Sequence, residues 1–264
     1  MDELIKAYVT QNKPHICILT PCSDNKCHIS YMDSFIKSQT ALQKYDIPIT
    51  YEFLGNQPDL PHARNNLIAK AMSRANISHF LLVDPDIIWE PQHILLMLLH
   101  DKYIVGGIPP ISKLQLNKVN PNLLSNCVNN AGEPNEYINY NTLESKILDY
   151  DVNLIDSTID IQNGATKVNN ISNSFLLIKR IAIEKMQSAF LRTKYMDESL
   201  LENEMLYAYS LFQNGIVDKK YYSDAWLFCE RWKNMNGSIW ASVMVNIKRV
   251  GEHDCAGFYY ASIL

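Results

Sequence analysis

The chain has 264 residues, 47% of them hydrophobic and 20% charged, a globular composition with enough length for a substantial core. A formal charge of -4 and a pI near 6.0 exclude a basic nucleic-acid-binding surface. No apolar run approaches the ~18 residues of a membrane span, and the opening MDELIKAYVTQNKPH is too polar for a signal peptide. A soluble cytoplasmic protein, in a viral or bacterial setting, is therefore expected. Cysteines stand at 17, 22, 27, 127, 229 and 255 without C-x-x-C spacing, which reads as reduced thiols.

In chain order, HICILTP (15–21) reads as a short buried strand ended by Pro21. Helical periodicity follows over 31–45, then strand alternation over 47–55. DLPHARNNLIAKAMSRAN reads as a helix with Pro61 in its first turn and an apolar stripe of Ile68, Ala71, Met72 and Ala75. A buried strand then runs into Asp84, Pro91 opens another helix, and YIVGGIPP (103–110) is a further buried strand. This alternation predicts a parallel sheet with helices on both faces, with ligands outside the carboxyl ends of its strands. Residues 111–160 turn polar and predict loops with short edge strands. Regular signals return with a strand over 172–180 and a helix over 181–190. Residues 223–237 predict a helix capped by Ser223 and ended by Gly237, and SIWASVMVNIKRVG predicts one last strand. No repeat and no Gly/Pro-rich linker divides the chain, so a single domain over 1–264 is expected.

The chemistry concentrates in SHFLLVDPDIIWEP (78–91), where a continuous apolar strand ends in Asp84 and Asp86, separated by one proline. Two carboxylates so close repel each other unless something positive lies between them. They are either solvated loop acids or the holders of a cation, and hard ions such as Mn²⁺ or Mg²⁺ prefer such oxygens.

The stretch ARNNLIAKAMSRANISHFLLVDPDIIWEP resembles the nucleotide-sugar half of GT-A glycosyltransferases, where a helix carrying Arg-Asn precedes a buried strand ending in D-x-D. VNNISNSFLLIKRIAIEKM and YYSDAWLFCERWKNMNGSIWASVMVNIKRVGEHDCAGFYY resemble two further segments of that family, in the expected order. The resemblance implies an α/β protein of GT-A type, a Rossmann-like, mostly parallel central sheet flanked by helices. It also implies a nucleotide-sugar-binding half (1–110) and an acceptor-binding half (111–264). The implied activity is metal-dependent sugar transfer from a nucleoside diphosphate sugar, commonly UDP-linked, to a glycan, protein or small-molecule acceptor. Residue by residue, Asp86 would ligate Mn²⁺ (or Mg²⁺), Asp84 would face the ribose or the metal's water shell, and His253 would complete the metal site. Arg64 would bind the nucleotide or its diphosphate with Asn65 in support, and Thr20, Pro21 and Cys22 would line base and ribose. By residue type alone Arg64 reads equally as a surface helix charge, and His253 as an ordinary loop histidine.

An inverting reaction needs a base for the acceptor proton. Asp224, in the first turn of its helix where the dipole favours a carboxylate, is the candidate, though an acid placed there also simply favours the helix start. Ser223-Asp224 stands where the family has Glu-Asp, SNSF (172–175) replaces a glycine-bearing strand, and Asp254 follows His253, so the stereochemical course stays open. Two other function classes are compatible with an acid pair after a buried strand. One is a phosphotransferase of haloacid dehalogenase type, in which Asp84 would be the nucleophile. The other is a nucleotide-binding module without chemistry.

Overall fold

The computed structural model describes residues 1–114, 118, 140–156, 159–251 and 255–263; His253 and Cys127 lie outside them. The strands are β1 Ile16–Cys22, β2 Ile49–Gly55, β3 His79–Val83, β4 Ile87–Ile88, β5 Ile104–Gly107, β6 Pro110–Leu114, β7 Leu148–Tyr150 and β8 Val152–Leu154. Then come β9 Ala165–Ile171, β10 Phe175–Lys179, β11 Gly215–Val217, β12 Lys220–Tyr222, β13 Ile239–Ser242, β14 Ile247–Arg249 and β15 Cys255–Gly257. The helices are α1 Asp2–Asn12, α2 Ile29–Gln43, α3 Leu60–Met72, α4 Pro91–Leu99, α5 Tyr140–Ile147, α6 Arg180–Ala189, α7 Glu202–Met205, α8 Asp224–Lys233 and α9 Tyr259–Ile263.

Eight strands form the central sheet in the order β2-β1-β3-β10-β5-β13-β9-β8. All but β10 and β9 point the same way, since β10 runs antiparallel to both β3 and β5, and β9 to both β13 and β8. The fold is thus the expected α/β class, with a mostly parallel, Rossmann-like sheet. Because side chains alternate along a strand, β1 sends Cys17 and Leu19 to one core and Ile16 and Ile18 to the other. Leu67 and Met72 of α3, Ile183 of α6 and Phe228 of α8 cover the first face. Ile5 of α1, Phe35 of α2 and Leu98 of α4 cover the second. A helix layer on each face is what lets β1 and β3 be apolar throughout.

Local chemistry sets the helix starts. Asp59 accepts a hydrogen bond from the His62 amide (3.3 Å) at the head of α3, with Pro61 in the first turn. Ser223 caps α8 as expected, accepting from the Trp226 amide at 3.4 Å. The predicted role of Gly237 needs correcting. The left-handed residue after α8 is Asn236 (φ 61°), whereas Gly237 makes room for the indole of Trp232. A Cβ on Gly237 would lie 2.3 Å from that ring. Gly237→Ala is accordingly expected to lower stability by about 1–3 kcal/mol through overpacking, measurable as a lower denaturant midpoint with an unchanged slope.

Three other expectations differ from the structure. Ala75 lies beyond the end of α3 and is exposed, because the helix stops at Met72 and the chain turns there, the Arg74 amide donating to the Ala71 carbonyl (3.2 Å) and the Ile77 amide to the Arg74 carbonyl (3.3 Å). The polar stretch 111–160 contains α5 as well as short strands. The expected last strand is two strands in different sheets: β13 lies beside β5, while β14 joins β4 and β15 in a separate three-stranded sheet. That second sheet positions the site. Its strand β4 begins directly after Asp86, and the antiparallel register sets Arg249 opposite Ile87.

Candidate functional site

The order β2-β1-β3 means that the chain leaves β1 in one direction and crosses back to reach β3 on its other side. Loops after two such strands diverge and leave a crevice at their carboxyl ends. Here it is an open cleft of about 480 Å³, walled by Asp24, Lys26 and His28 after β1, by Pro85 and Asp86 after β3, and by Val250 after β14. The His28 amide donates to the Pro85 carbonyl (3.1 Å), tying the two loops together. Thr20, Pro21 and Cys22 lie at the strand end but are buried, and the Thr20 hydroxyl is hydrogen-bonded to the Tyr31 phenol. The cleft wall on this side is therefore the loop after them.

The acid pair sits on a tight turn in which the Ile87 amide donates to the Asp84 carbonyl (3.1 Å) with Pro85 at its second position. The turn sends the two carboxylates into different surroundings. Oδ1 of Asp84 accepts from Nη2 of Arg64 at 2.8 Å, and Oδ2 accepts from the Ser174 hydroxyl at 2.6 Å. Burial opposes ionisation of Asp84, but the Arg64 charge, these hydrogen bonds and the Arg249 charge outweigh it and hold its pKa below the ordinary value. Asp86 is 42% exposed, with Oδ2 3.4 Å from Nε of Arg249. Its carboxyl is shifted upward by burial, with the Asp84 charge adding to the shift and Arg249 opposing it.

Arg64 is only 4% exposed, so it is no surface charge. Its Nη1 donates to Oδ2 of Asp224 at 2.8 Å, which makes one guanidinium a bridge between the D-x-D acid and the head of α8. Burial disfavours the charged form of Arg64, and the two carboxylates more than restore it, raising its pKa. Asn173 also donates to Oδ2 of Asp224 (2.8 Å). Asn65 points elsewhere: its amide exchanges two hydrogen bonds with the backbone of Phe212, at 2.7 and 2.9 Å, and so pins that loop to α3.

Sequence reasoning missed Arg249, Ser174 and Asn173. Nη2 of Arg249 donates to the Ser174 hydroxyl at 2.7 Å and lies 3.8 Å from Oδ2 of Asp84. Asp224, Arg64, Asp84, Ser174, Arg249 and Asp86 thus form one continuous polar chain, with three carboxylates against two guanidinium groups. The available signal was SNSF, polar residues at the end of an otherwise apolar strand. Arg249 itself had none, since it comes from a separate sheet.

As arranged, the described residues do not fit a divalent-ion ligand set. Both oxygens of Asp84 are engaged by Arg64 and Ser174, and a guanidinium stands where a cation would bridge the pair. No three His, Cys, Asp or Glu side chains converge on a metal position among the described residues. Nor is any helix among them long and apolar enough to cross a membrane.

No protein-family model matches the chain, and neither does any curated protein sequence. Among solved structures it is similar to "Crystal Structure of A197 from STIV", at 12% identity over 92% of this chain and 94% of that one, with a TM-score of 0.47. It is also similar to a UDP-glucose pyrophosphorylase complexed with UDP-glucose, at 14% identity over 98% and 85%, with a TM-score of 0.35. Neither likeness bears on the chemistry of the site, which rests on the geometry above.

Proposed function

We propose that the chain is a glycosyltransferase that moves a sugar from a nucleoside diphosphate donor, UDP being the first to test, to an acceptor hydroxyl. The observation that carries this reading is the turn after β3, where Asp86 lines a crevice between the diverging β1 and β3 loops and Asp84 is coupled through buried Arg64 to a third carboxylate, Asp224. In the reaction the bond from the sugar's anomeric carbon to the diphosphate oxygen breaks, and its electron pair stays on that oxygen. The acceptor oxygen forms the new bond to the same carbon, and its proton passes to a base. Asp224 is the proposed base, held in place at the head of α8 by its hydrogen bonds from Arg64 and Asn173. Asp84 is not favoured as a phosphoryl acceptor, because it is paired with buried Arg64 and does not line the cleft, whereas Asp86 does.

Incubation with a panel of nucleotide sugars and simple hydroxyl acceptors tests this, with released nucleoside diphosphate and glycosylated acceptor as the readouts. Asp86→Asn is expected to keep the fold and, by loosening the Arg249 guanidinium that Asp86 faces at 3.4 Å, to reduce transfer about 10²–10³-fold, the scale for losing one preorganised electrostatic contact. A phosphoenzyme on Asp84 would replace this reading with phosphotransfer. Nucleotide binding without any turnover would replace it with a binding module.

A further inference from the structure

We infer that Arg249 is the built-in cation of the Asp84–Asp86 pair, so that the site takes no divalent ion and a nucleoside diphosphate binds without one. The nucleotide half of this inference rests on the donor reading above; the metal half does not.

Three observations carry it. The register of β14 against β4 puts Arg249 opposite Ile87, and the Val250 amide donates to the Asp86 carbonyl (2.9 Å). The guanidinium is thus delivered to the acid turn by backbone pairing, more firmly than a long surface side chain could be. Secondly, the guanidinium lies within ion-pair range of both acids, 3.8 Å from Asp84 and 3.4 Å from Asp86, and its one side-chain hydrogen bond among the described residues, 2.7 Å to Ser174, fixes it there. At 16% exposure it is largely out of water, where an ion pair is stronger than on the surface. Thirdly, an incoming divalent ion would have to share Asp84 with Arg64 and Ser174, which take one lone pair on each of its oxygens, and would meet the Arg249 charge beside the pair. The planar fork of Arg suits carboxylates and phosphates alike. Lys26 on the facing wall adds positive charge for a diphosphate lying in the cleft.

The test uses the full chain stripped with chelator. Mn²⁺ alone is titrated in and the free ion followed by electron paramagnetic resonance, while UDP is titrated by calorimetry once in EDTA and once with Mn²⁺. The parent is expected to take up no stoichiometric Mn²⁺ and to bind UDP equally, within about twofold, in both conditions. Arg249→Gln bares the acid pair. It is expected to gain a Mn²⁺ site that Asp86→Asn abolishes, and to lose about tenfold or more in UDP affinity in EDTA. Arg249→Lys, which keeps the charge without the fork, should fall between. One Mn²⁺ bound by the parent and lost in Asp86→Asn overturns the inference, as does UDP binding that requires Mn²⁺. These parent titrations need no variant to fold. If the parent takes up no Mn²⁺ and binds UDP in neither condition, the donor reading falls with the nucleotide half, and Arg249 stands as the cation of the pair.

Discussion

Arg64→Gln is expected to destabilise the protein by about 3–5 kcal/mol, the cost of breaking a buried ion pair and leaving its partners charged. Arg64 is 4% exposed and its Nη1 and Nη2 each hold a carboxylate at 2.8 Å, so the substitution strands Asp84 and Asp224 together. The effect has a definite pH dependence. The folded-state pKa of Asp84 is held below its unfolded value, the Arg64 charge being the largest of the influences that lower it. Stability from this pairing is therefore present above the unfolded carboxylate value of about 3.9 and is lost as pH falls through the lower folded value. The gap between parent and Arg64→Gln should be widest near neutral pH and narrow in acid. Urea unfolding at several pH values measures it, and a gap that stays constant into acid would place the cost in packing instead.

Asp224→Asn is expected to reduce sugar transfer by about 10²–10⁴-fold, the usual contribution of a general base, while donor binding barely changes. The isosteric amide can still accept from Arg64 and Asn173 through its oxygen, so the network around Oδ2 survives, whereas the proton acceptor is gone. The pattern to look for is a fall in kcat with the donor KM nearly unchanged. If donor affinity falls in step with kcat, Asp224 acts by holding Arg64 in place and the base lies elsewhere.

Much of this site was readable from residue order, and the rest was hidden for physical reasons. The apolar run Phe80–Val83 ending in acids marks a central strand and its carboxyl end, because only a strand covered on both faces is apolar throughout. Asp224 at the head of α8 was legible from Ser223 and the periodicity behind it. What residue order did not show was pairing. Nothing local in FLLIK says that β10 enters the sheet reversed between β3 and β5, and that entry is what brings Ser174 to Asp84. Similarly, SIWASVMVNIKRVG looks continuous, yet a turn in which the Val245 amide donates to the Ser242 carbonyl (3.4 Å) diverts its end into the second sheet and carries Arg249 to the acid pair. The positive charge beside Asp84 and Asp86 comes from a strand far along the chain, β14.

The reversed strand β10 also shapes how the protein can be made. During synthesis β1, β2, β3 and β5 leave the ribosome first, but β3 and β5 cannot close on one another, because the place between them belongs to a strand translated much later. The nascent amino-terminal part therefore carries three unpaired, wholly buried-type strand edges while it waits, one on β3 and both on β5, a template for pairing with neighbouring chains. Long-range closure of this kind slows folding. A ribosome-stalled fragment ending before Phe175 is expected to engage chaperones or aggregate, and one extended past Arg180 to become protease-resistant through the β3 region.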